Sequence, residues 1–310
     1  TPEDRARVAA IMGCSTWDEF LDQLNTQRQI VARHFRDVVS APDGKDEEYI
    51  GAEWLPVWED TIDENSILQQ LSEAGFQSPS TAWHNLQHLR NSSQVRTMQR
   101  MGRDRLDAFM PRLLTHVAEQ DEPDLVLERV LPLIEAVARR SAYLVLLTEN
   151  PGTLSRVLKL CAASPWIATQ LALFPALLDE LLNAGRLYRP PQAPELAAEL
   201  RERLLRIPED DLEQQMDVLR HFKLAHRLRV IASEIAGTLP LMKVSDYLTW
   251  LAEAVLTQVV ELVWKEMVRK HGQPKHVDGT LCELDFIVVG YGKLGGLELG
   301  HNSDLDLVFL

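Results

Sequence analysis

The chain has 310 residues, 45% hydrophobic and 25% charged, with 46 acidic against 32 basic side chains and a formal net charge of −14. That is a globular composition, long enough for two domains, and its acidic balance argues against nucleic acid as a partner, because such binding needs cations to meet phosphates. No apolar run reaches the ~18 residues of a membrane span, and the opening TPEDRARVAA lacks the apolar stretch of a signal peptide, so a cytoplasmic protein without membrane contact is expected.

Helix signals dominate from the start. Thr16-Trp17-Asp18-Glu19 fits a capping box, and Phe20, Leu24, Val31, Phe35 and Val38 follow at helical spacing. Pro and Gly in APDGKDEE (41–48) mark a loop. Residues 41–65 hold nine acidic side chains against one lysine, a solvated surface or an acidic docking face. Helical stretches are expected over 53–75, 80–90 and 93–119. Arg90, Arg96, Arg100, Arg103 and Arg105 cluster there, and ion pairs on a solvated helix face account for them. An amphipathic helix is expected over 123–148. Pro151, Pro165 and Pro175 then punctuate three short helices, with Ser164 as an N-cap before Pro165 and Gly185 as a stop. RPPQAP (189–194) reads as a stiff connector. Helices over 195–206 and 209–236 follow. A long one over 246–271 is expected to be capped by Ser245 or Asp246 and ended by Gly272 and Pro274.

Only after residue 283 does the period change. LDFIVVGYG reads as a buried strand, and SDLDLVFL alternates as a second one. The fold class is therefore mainly α: a helical bundle body followed by the first two strands of an incomplete α/β domain. Cys14, Cys161 and Cys282 are far apart and lack metal spacing, so reduced thiols are expected. His84 and His88, four apart, are two ligands without a third, a weak metal signal.

The chemistry concentrates in GYGKLGGLELGHNSDLDLVFL (290–310). On a strand, side chains two apart share a face, so Asp304 and Asp306 point together while Leu305 and Leu307 face the core. Paired carboxylates repel unless a hard cation joins them. Mg²⁺ fits, and its habit of binding one or two carboxylates plus substrate phosphates implies a nucleotide. Gly295 and Gly296 are expected to open a short helix whose backbone approaches phosphate without a Cβ in the way. Lys293 is a candidate phosphate contact or a solvent-facing lysine, and Ser303 a hydroxyl donor. Gly290-Tyr291-Gly292-Lys293-Leu294-Gly295 matches GxGxxG, but the chain returns to a strand within about ten residues, too soon for a dinucleotide fold. No Gly-Lys-Ser/Thr follows, which rules out a Walker A loop. The competing structural reading is a hairpin edge with surface aspartates.

Strand, Gly-Gly, short helix, polar turn and Asp-x-Asp resemble the nucleotidyltransferase signature. VVGYGKLGGLELGHNSDLDLVFL is similar to the motif of the bacterial bifunctional glutamine synthetase adenylyltransferase/adenylyl-removing family. LCAASPWIATQLALFPALLDELL, RIPEDDLEQQ and AGTLPLMKVSDYLTWLAEA resemble the same family. The likeness is strong over 141–310 and weaker but continuous over 1–140. It implies a helical linker or regulatory region over 1–140. The start of the C-terminal adenylyltransferase domain would follow over 141–310, with a helical lead-in over 141–272 and the motif over 283–310. It implies transfer of AMP from ATP to a tyrosine hydroxyl of glutamine synthetase, with the other half of the whole protein removing AMP by phosphorolysis and nitrogen assimilation as the process regulated. Asp304 and Asp306 would be the catalytic and Mg²⁺-binding residues, and Gly295, Gly296, Ser303 and Lys293 the ATP contacts.

Such enzymes usually need a third carboxylate from a later strand, so residues 1–310 alone are expected to be inactive. A different class of reading is a helical docking module for a PII-type signal protein or glutamine synthetase, without catalysis. A third, a nucleotidyltransferase acting on RNA ends, is disfavoured by the acidic balance.

Overall fold

The computed structural model describes residues 50–310 and, before them, Arg5, Met12, Cys14, Thr16, Trp17 and Phe20. The chain forms two compact units, residues 1–52 and 53–310. In the first, the Thr16 carbonyl accepts the Phe20 N–H at 3.2 Å. The expected cap partner Glu19, the helix positions from Leu24 to Val38 and the 41–48 loop lie outside the described residues.

The second unit is a succession of helices whose starts are set by local chemistry. It opens with α1 (Leu55–Glu59) and α2 (Glu64–Glu73), where Asp63 caps α2 by accepting the Ser66 N–H at 3.1 Å. Proline stands first in α3 (Pro79–Asn91), α6 (Pro123–Val137), α8 (Pro151–Ala163) and α9 (Pro165–Leu173). There its missing N–H costs nothing and its φ is already helical. Ser164 caps α9 as expected, accepting the Ile167 N–H. Short α4 (Ser93–Arg96) and long α5 (Arg100–Ala118) lie between α3 and α6. After α9, a 3₁₀ turn leads to α10 (Leu178–Leu182) and α11 (Ala184–Leu187), then α12 (Ala193–Leu204), α13 (Leu212–Ile235) and α14 (Leu241–His271).

Several expectations are corrected. Residues 53–75 are not one helix, since Asp60 in left-handed geometry (φ 59, ψ 46) separates α1 from α2; 93–119 divides into α4 and α5 around Thr97; and Gly185 does not end a helix but lies inside α11. Residues 123–148 are not one helix: the chain leaves helical geometry at Arg140 (φ −110, ψ 63) and restarts as α7 (Ser141–Glu149). The break folds α7 back onto α5, where Arg105 donates to Ser141 Oγ at 2.8 Å, and Arg139 is tied to Thr97 at 2.9 Å. An unbroken helix could not make that return. Likewise α14 starts at Leu241, on extended Pro240, not at Ser245 or Asp246. Asp246 pairs inside the first turns with Lys243 at 2.8 Å. The arginine cluster is used internally where its partners are seen. Arg90 meets Asp60 of the acidic stretch at 3.4 Å, and Arg103 meets Asp107 at 3.0 Å.

Among the described residues the buried apolar side chains form three cores. The first runs from Trp54 to Ala232 and includes Ala138 and Leu144, on either side of the break at Arg140. The second joins Leu196, Leu200 and Leu204 of α12 to Phe222 of α13 and Leu251 of α14. The third joins Val230 of α13 and Val244, Tyr247 and Leu248 of α14 to Leu294 and Leu299 of the C-terminal motif. Helix α13 contributes to all three, so it carries polar groups into the interior and each must find a partner. Arg229, 2% exposed, donates to Glu180 Oε2 from Nε at 2.8 Å and from Nη2 at 2.5 Å. Buried His226 approaches Glu199 Oε2 at 3.5 Å, a contact too long for a full hydrogen bond. Arg203 donates to the other Glu199 oxygen at 2.5 Å.

The strand pair is short. β1 (Val288–Tyr291) and β2 (Asp306–Phe309) are antiparallel, with Val288 opposite Phe309 and Tyr291 opposite Asp306. Ile287 and Leu310 extend the ladder by exchanging both backbone bonds at 2.9 Å. The apolar run before Val288 is not strand, and Phe286 and Ile287 are exposed.

The polar cluster on α13 makes stability depend on pH. The His226 ring and then Arg203 hold the Glu199 carboxyl down to about 2, against the burial that opposes them. Its contribution is present above the ordinary value of 4.5 and is lost only as pH falls towards 2. Burial pushes the His226 imidazole below the usual 6.5, so near that pH the unfolded chain takes up a proton that the folded chain resists. Stability from His226 is therefore full above pH 6.5 and falls below it, at up to about 1.4 kcal/mol per pH unit. Urea midpoints at pH 7.5 and 5.5 should show this loss, and His226→Gln should reduce it.

Candidate active site

The chain leaves β1 at Tyr291 and turns at Gly292, whose φ of +55° favours glycine. A Cβ there would also collide with the carboxylate of Asp306, which rests against this bend. The short helix α15 (Gly292–Gly295) follows at once. At its end a Cβ on Gly295 would stand 2.6 Å from the Gly290 carbonyl oxygen, so here glycine permits two backbone segments to touch. The glycine pair was expected to open the helix, but it closes it. Gly296 is the C-cap, and its N–H donates to the Gly292 carbonyl at 3.0 Å. The helix had to start earlier because the left-handed turn at Gly292 is what reverses the chain out of the strand. Leu297, also at positive φ (57°), then redirects it, and Leu294 and Leu299 are buried in the third core.

The polar turn that follows is self-bonded. Ser303 Oγ accepts the Gly300 N–H at 3.0 Å, and the Ser303 N–H donates to the Gly300 carbonyl at 3.1 Å. Asp304 and Asp306 emerge from it and both are exposed. Only Asp306 belongs to the strand; Asp304 lies two residues ahead of it, so strand alternation does not by itself fix its direction. Leu307 packs against the third core as expected, whereas Leu305 is 39% exposed, because the helices below leave a gap there. Lys293 is exposed on α15. Among the described residues neither aspartate has an ion pair, and no group of three or more His, Cys, Asp or Glu comes together as a metal site.

The hollows near the motif lie on its apolar back. One of about 520 Å³ is bordered by Gly290, Leu294, Leu307 and the α14 residues Leu256 and Glu261. Another of about 210 Å³ lies under the turn, lined by Lys223, Arg227, Leu299, Ser303 and Leu305. A third, about 540 Å³ and almost wholly apolar, lies off the motif along Val263, Trp264 and Met267 of α14 with Phe286 and Phe309. Neither aspartate lines any of them, so both carboxylates stand on the open side.

Gly292 was legible only as part of a glycine motif. Nothing in the sequence marks two α13 residues that touch the turn, Arg227 and Glu234: they lie roughly 70 residues upstream within an ordinary helix pattern.

Fold and motif together define a mainly α protein that carries the opening of a nucleotidyltransferase domain. The model of the glutamate-ammonia ligase adenylyltransferase family matches residues 154–310, half of the chain, and the chain belongs to that family. It is 66% identical over 310 residues to the bifunctional glutamine synthetase adenylyltransferase/adenylyl-removing enzyme of Pseudomonas putida. The enzymes of the same description from Pseudomonas aeruginosa and Hahella chejuensis are 65% and 47% identical. In each case 99% of this chain is covered but 32% of the relative, so the chain spans about a third of the length of the curated relatives it matches.

The glycine geometry separates two neighbours. Gly295→Ala, forced against a backbone oxygen, should cost about 1–3 kcal/mol and speed amide exchange at Ile287 and Leu310. Gly296→Ala, whose nearest neighbour stands 3.4 Å away at an ordinary φ, should be close to neutral. Hydrogen exchange and thermal melts of the two variants check this.

Proposed function

We propose that the chain carries the metal- and nucleotide-binding opening of a site that transfers AMP from ATP to a tyrosine hydroxyl of glutamine synthetase. The observation that supports it best is the Asp306 carboxylate laid against the Gly292 bend, with Asp304 two residues away and both exposed without an ion pair among the described residues. Two hard oxygen donors with no protein cation of their own fit Mg²⁺, which seldom sits in an all-protein cage and fills its shell with water and substrate phosphates. Asp304 and Asp306 would hold it. Bound there, Mg²⁺ supplies charge neutralisation of the triphosphate and a more acidic nucleophile.

The chain's own residues do the placing. Exposed Lys293 would meet phosphate oxygens, the Cβ-free backbone at Gly296 would let ATP come close, and Gly295, closed against the Gly290 carbonyl, would hold that approach in shape. Ser303 keeps a hydroxyl proton to donate, since its oxygen is what the Gly300 N–H occupies. The tyrosine hydroxyl gives up its proton to solvent as its oxygen bonds to the α-phosphorus, and the bond from the α-phosphorus to the bridging oxygen breaks, pyrophosphate leaving with that oxygen and the electron pair. A third carboxylate is proposed to complete the site, so residues 1–310 alone should not transfer AMP. Removal of AMP by phosphorolysis, response to a PII-type signal protein and a cytoplasmic setting complete the proposal. The names of the relatives and the absence, among the described residues, of a helix long and apolar enough to cross a membrane agree with it.

The test uses the full-length enzyme with labelled ATP. Asp304→Asn and Asp306→Asn should each lower AMP transfer about a hundredfold or more while binding of glutamine synthetase is retained. Transfer at the wild-type rate in both variants would instead favour a docking module without catalysis. A parallel assay of residues 1–310 should show no labelled product.

A further inference from the structure

The turn that delivers the two aspartates is held from outside the motif. His301 Nε2 lies 2.6 Å from Glu234 Oε2, and Arg227 Nη2 donates to Asn302 Oδ1 at 3.1 Å. Arg227 and Glu234 are seven residues apart on α13, two helical turns, and so share one face. Arg227 is itself held from behind: its guanidinium carbon stands 4.2 Å from the centre of the Trp166 ring, at the start of α9, and Trp166 packs on the first core. A continuous set of contacts thus runs from the helical body through Trp166 and Arg227 to Asn302, two residues from Asp304.

Three observations say that these links set the turn's position. Apolar packing beneath it is incomplete, with the hollow of about 210 Å³ under Ser303 and Leu305. Asp304 lies outside β2, two residues ahead of its first residue Asp306, so the ladder with β1 does not hold it. Among the described residues Arg227 Nε and His301 Nδ1 are buried without a hydrogen-bond partner, so both side chains are kept in place at a cost in stability. Local rules are broken in this way chiefly where function requires a geometry.

We propose that Arg227 and Glu234, with Trp166 behind Arg227, are positioning residues: they clamp the 300–303 turn that leads into Asp304 and Asp306, and through them the helical body sets how tightly the site takes its metal. This rests on the reading of the two aspartates as metal ligands. Partners that orient ligating carboxylates typically govern 10–100-fold in metal affinity or activity, and a misplacement of about 1 Å can cost about a hundredfold.

The experiment measures AMP transfer by the full-length enzyme against Mg²⁺ concentration. Asn302→Leu and Arg227→Met break the same bond from its two ends. Each should raise the Mg²⁺ needed for half-maximal rate about 10–100-fold, and the double variant should be little worse than either single one. Asn302→Asp keeps an acceptor for Arg227 and should restore the wild-type requirement. Because Asn302 is exposed, its variants should melt like the wild type, which keeps the test open if Arg227→Met unfolds. Glu234→Gln should shift the Mg²⁺ requirement in the same direction.

A wild-type Mg²⁺ requirement in Asn302→Leu and Arg227→Met, with transfer still lost in Asp304→Asn, would overturn the clamp and leave the catalytic reading standing. A lowered melting temperature without a change in Mg²⁺ requirement would overturn it too. Unchanged transfer in Asp304→Asn and Asp306→Asn would remove the catalytic reading and the clamp with it.

Discussion

Arg229 is charged, almost wholly buried and bound to Glu180 on α10, with Glu199 of α12 at 4.0 Å. Removing one partner from such a pair strands a charge in the interior and typically costs about 3–5 kcal/mol. The pair therefore acts as a constraint: α13 must meet α10 and α12 in one orientation, or a charge is left uncompensated. That orientation also places Ala225, Leu228 and Ile231 in the first core, Phe222 in the second and Val230 in the third. One helix sets the relation of three cores because its polar side chains tolerate only one arrangement.

The C-terminal motif inherits its position from that helix. Leu294 and Leu299 seat it in the third core, and Glu234 and Arg227 reach its polar turn from a single face of α13. The apolar contacts anchor the motif without orienting it closely, since the space below the turn is underfilled. Hydrogen bonds are directional where dispersion contacts are not, so the direction of the turn falls to the polar links. The open side that results is where the two carboxylates stand, away from every hollow along the motif's apolar back.

The glycines at 292, 295 and 296 show how one residue type serves different ends within five positions. Gly292 answers a backbone demand, a left-handed turn beside a carboxylate, while Gly295 answers a packing demand, contact with the Gly290 carbonyl. Gly296 answers neither as strongly, and closes the helical turn. A sequence shows glycine in all three places and cannot say which demand is met. That is why the pair at 295 and 296 reads as a helix start when the start lies at Gly292.

By itself the sequence determined the class of element along nearly the whole described chain. Apolar spacing of 3.6, proline at helix starts and the Ser164 cap are local properties, decided within a few residues. It also determined the change to strands after residue 283 and the spacing of Asp304 two residues ahead of Asp306 in one short polar-to-apolar segment. Tertiary structure alone decided the break at Arg140, which exists so that α7 can return to α5, and the start of α14 at Pro240. It alone decided that Asp306 rests on Gly292, and that residues 166, 227 and 234 stand behind a turn at 300–303. The reason is physical: periodicity and caps record contacts between near neighbours, whereas a partner some 70 residues away leaves no pattern in the sequence and is chosen only when the cores close.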